Sequence, residues 1–157
     1  MTPHHDAGKQ PPLGLVLGGG SLIQQVGREL GTSADRLLGP LGITAQQAAL
    51  LLHAARGQTS PSQLMARLGT DTAGMTRLLD RLAAKGLARR AKNPHDRRAI
   101  IVELTAQGHA LVPQLPPIFG QVTGQLLDGF TADEITQLIA MLRRMLSNLH
   151  QPPPLTR

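Results

Sequence analysis

The side chains of this 157-residue sequence best equipped for chemistry are cations, and they cluster. Between His53 and Arg98 stand ten lysines and arginines against three acids, Asp71, Asp80 and Asp96. That segment therefore carries +7 and the remainder of the chain −1. Guanidinium groups present planar forks of donors that fit phosphate oxygens and guanine edges. Such a concentration is the electrostatic footprint of a polyanionic partner, whereas charge by itself would equally fit a solvated basic surface. Spacing decides between them.

Other chemistries lack their residues. The sequence has no Gly-x-Ser-x-Gly elbow, no His-Glu-x-x-His pair and no phosphate loop, and its carboxylates are scattered, so no catalytic residues are expected. His95 and Asp96 are adjacent but stand beside two arginines in a turn-rich segment, not in a pocket. Cysteine is absent, which rules out disulfides and thiolate redox sensing and removes the usual basis of a structural zinc site. His4 and His5, on a polar arm, read as incidental, and no metal is expected. The triplet Gly18-Gly19-Gly20 lacks a preceding strand, a full fingerprint and a downstream acid, so it is no nucleotide loop and no cofactor follows from it. With no Trp or Tyr and only Phe119 and Phe130, the core must be aliphatic. The uncharged run Gln10 to Gly27 is broken by two prolines and the glycine triplet. No membrane span or secretory signal is expected, and the cytoplasm is the natural compartment.

The elements that must position the cations announce themselves by their caps. Residues 1–12 and 151–157 read as disordered tails around one domain, 13–150. Helical spacing of Leu22, Ile23, Val26, Leu30, Leu37 and Leu38 predicts a first helix, with Ser21 and Gln24 as a capping box at its firm start. Thr44 with Gln47 opens a second helix that stops at Gly57. Ser60, Pro61 and Gln63 open a third that stops at Gly69. Asp71 caps a fourth, about Thr72 to Lys85, closed by Gly86. Its stripe Met75, Leu78, Leu79 and Leu82 is core, while Ala73, Thr76, Arg77, Asp80 and Arg81 face the other way.

After Gly86 the period changes, and 87–92 and 99–104 read as two strands joined by Asn93-Pro94-His95-Asp96-Arg97-Arg98. Thr105 can cap a further helix, which Pro113, Pro116 and Pro117 must kink or split. Thr131 with Glu134 boxes a last helix with the stripe Ile135, Leu138, Ile139, Leu142, Leu146 and Leu149. Three short capped helices and a basic hairpin make the winged helix-turn-helix plan. The fold class is mainly α with a small β-hairpin wing, a winged helix-turn-helix lobe (44–105) plus a helical dimerisation region (13–41 and 106–150). In that plan the last of the three helices enters the major groove and the hairpin reaches the minor groove. The DNA-reading candidates are Thr72, Ala73, Thr76, Arg77 and Arg81 on the helix, with Lys92, Arg97 and Arg98 on the wing. Gly74 would leave room for close backbone approach. Protein docking by a winged helix is the competing reading, but it requires no charge maximum at helix and wing. A constitutive DNA-binding protein without any effector is another.

The stretch from Leu41 to Gly108 resembles the MarR (multiple antibiotic resistance regulator) family of transcriptional regulators. The residues carrying the resemblance are Leu41-Gly42-Ile43-Thr44, Leu64 with Leu68-Gly69, and Thr76-Arg77-Leu78 with Leu82 and Lys85-Gly86-Leu87. The wing Asn93-Pro94-His95-Asp96-Arg97-Arg98-Ala99, followed by Leu104-Thr105-Ala106-Gln107-Gly108, is the most specific part. The resemblance implies a homodimer built from the first helix and the last two. It also implies a pseudo-palindromic double-stranded DNA operator, repression, Arg98 as the minor-groove arginine and Asp96 as support for the hairpin tip. Small anionic or phenolic effectors bind relatives between the DNA-binding lobe and the dimer helices. Gln24, Arg28 and His53, polar groups near apolar stretches, are the lining candidates here, although His53 in its Ala-Leu run reads first as a satisfied core histidine.

Overall fold

A computed structural model describes residues 11–150. The order of elements is α1 (Leu13–Leu38), a 3-10 turn (Gly39–Leu41), α2 (Ala45–Ala55), α3 (Pro61–Leu68), α4 (Thr72–Ala84), β1 (Ala88–Lys92) and β2 (Ile100–Leu104). There follow α5 (Ala106–Leu111), a second 3-10 turn (Val112–Gln114), α6 (Leu115–Leu126) and α7 (Ala132–His150). The chain forms two compact units, one reaching Val122 and one beginning at Thr123.

In the first unit, α2, α3 and α4 enclose an aliphatic core of Leu50, Leu51, Leu64, Met75, Leu78, Leu79 and Leu82. The C-terminal end of α1 joins it through Ala34 and Leu38, the hairpin through Leu87, Ala88 and Val102, and α6 through Leu115 and Val122. Local chemistry starts and stops these helices. Thr44 and Gln47 form the reciprocal capping box, and the Asp35 carboxylate on α1 accepts the Ala45 N–H at 2.6 Å, tying α1 to the start of α2. The Asp71 carboxylate accepts the Gly74 N–H at 2.6 Å. Gly69 and Gly86 take left-handed conformations after α3 and α4, where a side chain would be strained.

Two caps differ from expectation. α1 begins at Leu13 behind Pro12 and runs unbroken through Gly18-Gly19-Gly20, so Ser21 and Gln24 lie inside the helix and form no capping box. Proline suits a helix start, and glycine tolerates αR at about 1 kcal/mol relative to alanine, so the leucines and valine before the triplet extend the helix backwards. Ser60 stands at the N-cap of α3, but its hydroxyl bonds Ser62 at 2.8 Å instead of capping the helix. The prolines act as anticipated. Pro113 sits in the 3-10 turn and Pro116 and Pro117 in the first turn of α6, where their missing N–H groups cost nothing, so the predicted fifth helix is split.

β1 and β2 pair antiparallel, Ala88 with Leu104 through Lys92 with Ile100. The Val102 N–H donates to Thr59 O at 2.8 Å, which fastens β2 to the loop between α2 and α3. Gly108 is required where α5 crosses the hairpin's root, because a Cβ there would overlap the carbonyl oxygen of Leu87.

In the second unit, the Glu134 carboxylate accepts the Thr131 N–H at 2.8 Å, and the Thr131 hydroxyl accepts the Glu134 N–H at 3.3 Å. This box opens α7, none of whose residues is buried. Among the described residues, no helix is long and apolar enough to cross a membrane.

Candidate nucleic-acid interface

The amphipathic pattern of α4 separates core from reading face. Met75, Leu78, Leu79 and Leu82 are buried, and Thr72, Ala73, Thr76, Arg77 and Arg81 are all exposed. The Thr76 hydroxyl donates to Thr72 O at 2.9 Å, so its lone pairs remain for an incoming donor. Gly74 has a different use from the one expected. A Cβ at this position would collide with Thr70 and Asp71, so the space serves the helix's own N-cap.

The wing tip organises itself. Its backbone closes through Asn93 N–H to Ala99 O and Ala99 N–H to Asp96 O, both at 2.9 Å. The Asn93 side chain accepts the His95 N–H, and the Asp96 carboxylate accepts the Arg98 N–H at 3.0 Å. Asp96 thus binds the backbone of Arg98 and leaves its guanidinium outward. Lys92, Arg97 and Arg98 are exposed.

Three cations of the basic segment are already engaged, which the charge count could not show. Lys85 donates to Gln47 Oε1 at 2.9 Å and to the carbonyl of Gly42, fixing the end of α4 to the start of α2. Arg89 pairs with Glu103 at 2.8 Å, directly across the hairpin. Arg90 reaches from β1 to α4, with Nη1 2.7 Å from Asp80 Oδ1 and Nη2 donating to Thr76 O at 3.2 Å. The register of two equal strands could have indicated Arg89 with Glu103. No local signal in the sequence indicates the other two.

The three effector candidates stand on two helices. Gln24 and Arg28 lie exposed on α1. His53 is half-buried on α2 and is not a satisfied core histidine. Its Nδ1 has no hydrogen-bond partner among the described residues, nor has the Oε1 of Gln58 nearby. The donors of that turn, Arg56 N–H and Gln58 N–H, are both spent on the backbone carbonyl of His53. A cavity of about 460 Å³ lies elsewhere, lined by Leu41, Ile43, Lys85, Leu87, Gln107 and Leu111 among others, and by none of the three. Among the described residues there is no grouping of His, Asp and Glu able to hold a metal ion.

The chain is similar to known proteins in both sequence and fold. Residues 41–99 match the model of the MarR family. The multiple antibiotic resistance protein MarR of Escherichia coli K12 is 36% identical over 129 residues, 81% of this chain and 90% of that protein. A mutant Escherichia coli MarR solved with operator DNA superposes with a TM-score of 0.75 at 32% identity, covering 87% of this chain and 99% of that one. The MepR–DNA complex of Staphylococcus aureus gives 0.73 at 26% identity, over 82% and 94%. With a relative at this identity spanning most of both chains, this chain belongs to the MarR family of winged-helix transcriptional regulators.

Proposed function

We propose that this protein is a homodimeric, sequence-specific double-stranded DNA-binding repressor acting in the cytoplasm on a pseudo-palindromic operator. The observation that carries this is the outward face of α4, where Thr72, Ala73, Thr76, Arg77 and Arg81 stand exposed, beside a wing whose tip frees Arg97 and Arg98. The helix has the girth and the donors to read major-groove edges, and the wing arginines suit a narrow minor groove. The DNA complexes formed by relatives support the same docking. No enzymatic step is part of this reading.

Dimerisation follows from the apolar faces left open. Leu22, Ile23 and Val26 of α1 and Leu142, Leu146 and Leu149 of α7 are exposed in the single chain, and a two-fold partner would cover them. Two recognition helices would then meet half-sites one turn of DNA apart, about 34–36 Å. A small anionic or phenolic effector, with Gln24, Arg28 and His53 as its candidate polar partners, would act on this dimer. Such a ligand relieves repression by binding the operator-incompetent arrangement more tightly.

The test is a salt titration on the tightest duplex that the protein selects from a randomised pool. Binding should weaken linearly in log salt, by about 0.9 per neutralised phosphate. No duplex selected, or a flat salt dependence, would hand the fold to protein docking instead. Sedimentation should show a dimer, and removal of residues 131–157 should abolish it.

A further inference from the structure

Asp80 is out of place on a DNA-reading helix. It sits among Arg77 and Arg81 on the exposed face, where a free carboxylate would repel the phosphates those arginines seek. The structure gives it another occupation. Arg90, on the first strand of the wing, spans one turn of α4, with Nη1 on the Asp80 carboxylate at 2.7 Å and Nη2 on the carbonyl of Thr76 at 3.2 Å. We infer that Arg90 and Asp80 form a latch that sets the angle between recognition helix and wing, making Arg90 a positioning residue for two-groove readout. The inference rests on the DNA-binding function proposed above.

The latch is placed where an angle needs holding. The chain passes from α4 to β1 through Gly86, in the left-handed conformation, and Leu87 and Ala88 are the buried root of the wing. β2 is held at Val102, the register partner of Arg90, and beyond that level the wing would pivot. From Arg90 to the turn at His95 an extended chain covers about 16 Å, so a pivot of about 10° would move the tip by roughly 3 Å. That is comparable with the half-width of a minor groove about 6 Å across. Arg90 pairs in register with the buried Val102, so both strands of the wing follow it. The guanidinium suits this duty because its planar fork can hold two acceptors at a fixed separation, as an ammonium cannot.

The pair is open to solvent, Asp80 more than Arg90, so its contribution to folding is small and its effect should be seen in DNA geometry. The variants are Arg90→Gln, Asp80→Asn, the double variant and Arg90→Lys, tested on the duplex the wild type selects from a randomised pool. Each single change should weaken binding by about two- to fivefold, with the double no weaker than either single. Hydroxyl-radical protection of the flanking minor groove should fade in all of them, Arg90→Lys included. Protection of guanine N7 beneath α4 should persist, and thermal midpoints should stay near the wild type. Asp80→Asn that tightens binding while Arg90→Gln weakens it would overturn the latch, since Arg90 would then be a phosphate contact that Asp80 competes for. Unchanged minor-groove protection in every variant would overturn it as well, with the DNA-binding function intact. A wild type that selects and protects no duplex would overturn the function, and the latch with it.

Discussion

On α4 the residues Met75, Leu78, Leu79 and Leu82 recur at helical spacing, and all four are buried, Leu82 completely. On α7 the residues Ile139, Leu142, Leu146 and Leu149 recur at the same spacing, yet Leu142 is 39% exposed, Leu146 56% and Leu149 80%. Period identifies which face of a helix is apolar and is silent about what covers it. For α4 the cover is α2, α3 and the hairpin root, supplied by the same chain. For α7 the proposed cover is a second copy, since apolar surface in water costs about 25 cal/mol per Å² whichever chain removes it. The two stripes should therefore differ in how their stability depends on protein concentration.

The largest effect should come from emptying the covered stripe. Leu82→Ala removes a fully buried side chain and should destabilise the lobe by about 2–5 kcal/mol in denaturant titrations, equally at low and high protein concentration. Leu146→Asp should leave the lobe folded but shift sedimentation to a monomer, and its melting should lose the concentration dependence of the wild type. A dimer that persists in Leu146→Asp would remove α7 from the interface.

A smaller effect tests the glycines that the two settings use differently. Gly108→Ala would press a Cβ into the carbonyl of Leu87 and should cost about 1–3 kcal/mol. Gly19→Ala meets nothing within 4 Å in the single chain and should strengthen α1 by about 1 kcal/mol. A loss of stability at Gly19→Ala, measured by the same titration, would show that another chain packs closely on that face.

What the residues alone reveal divides along the same line, local against tertiary. Caps are local, so Thr44 with Gln47, Asp71, Thr105 and Thr131 with Glu134 were all legible, and both strands lie within one residue of their expected bounds. The exposed side of α4 followed from its period. What escaped was tertiary. Lys85 finds Gly42 forty-three positions away, and Arg90 finds Asp80 across a turn between different kinds of element. Net charge counts such cations as free, although three of the ten in the basic segment are held by the fold. Continuation of α1 through its glycines was also hidden, because propensity weighs each residue and not the apolar segments on either side.

On the opposite face of α4 the contrast is with the wing. Arg77→Ala should weaken DNA binding by about 1–3 kcal/mol and relax preference at particular base pairs. Arg98→Ala should lose a comparable amount, chiefly in discrimination between narrow A·T-rich flanks and wider G·C ones. Titration of each variant against duplexes altered one position at a time separates the two. Wild-type affinity of Arg98→Ala across the panel would make the hairpin purely structural.

The smallest effect lies in the two capping boxes, one in each unit. The box of α2 uses Gln47, whose amide does not titrate and also receives Lys85. The box of α7 uses Glu134, and the Thr131 backbone N–H, then its hydroxyl, hold that carboxyl below the usual carboxylate value. A depressed pKa in the folded state means the charged form is favoured by folding. The stabilisation is therefore fully present above the ordinary glutamate pKa and is lost as pH falls through the lower, folded one. Glu134→Gln keeps an acceptor at the cap but removes the titration. Thermal melts of both proteins across the acid range should show the wild type slightly more stable near neutrality, with the difference vanishing as Glu134 takes up its proton. Gln47→Glu in the other box offers the converse. Its carboxylate would gain Lys85 as a charge partner, so that variant should acquire an acid-sensitive step which wild-type α2 lacks. A difference between wild type and Glu134→Gln that is independent of pH would mean the α7 cap works through geometry alone.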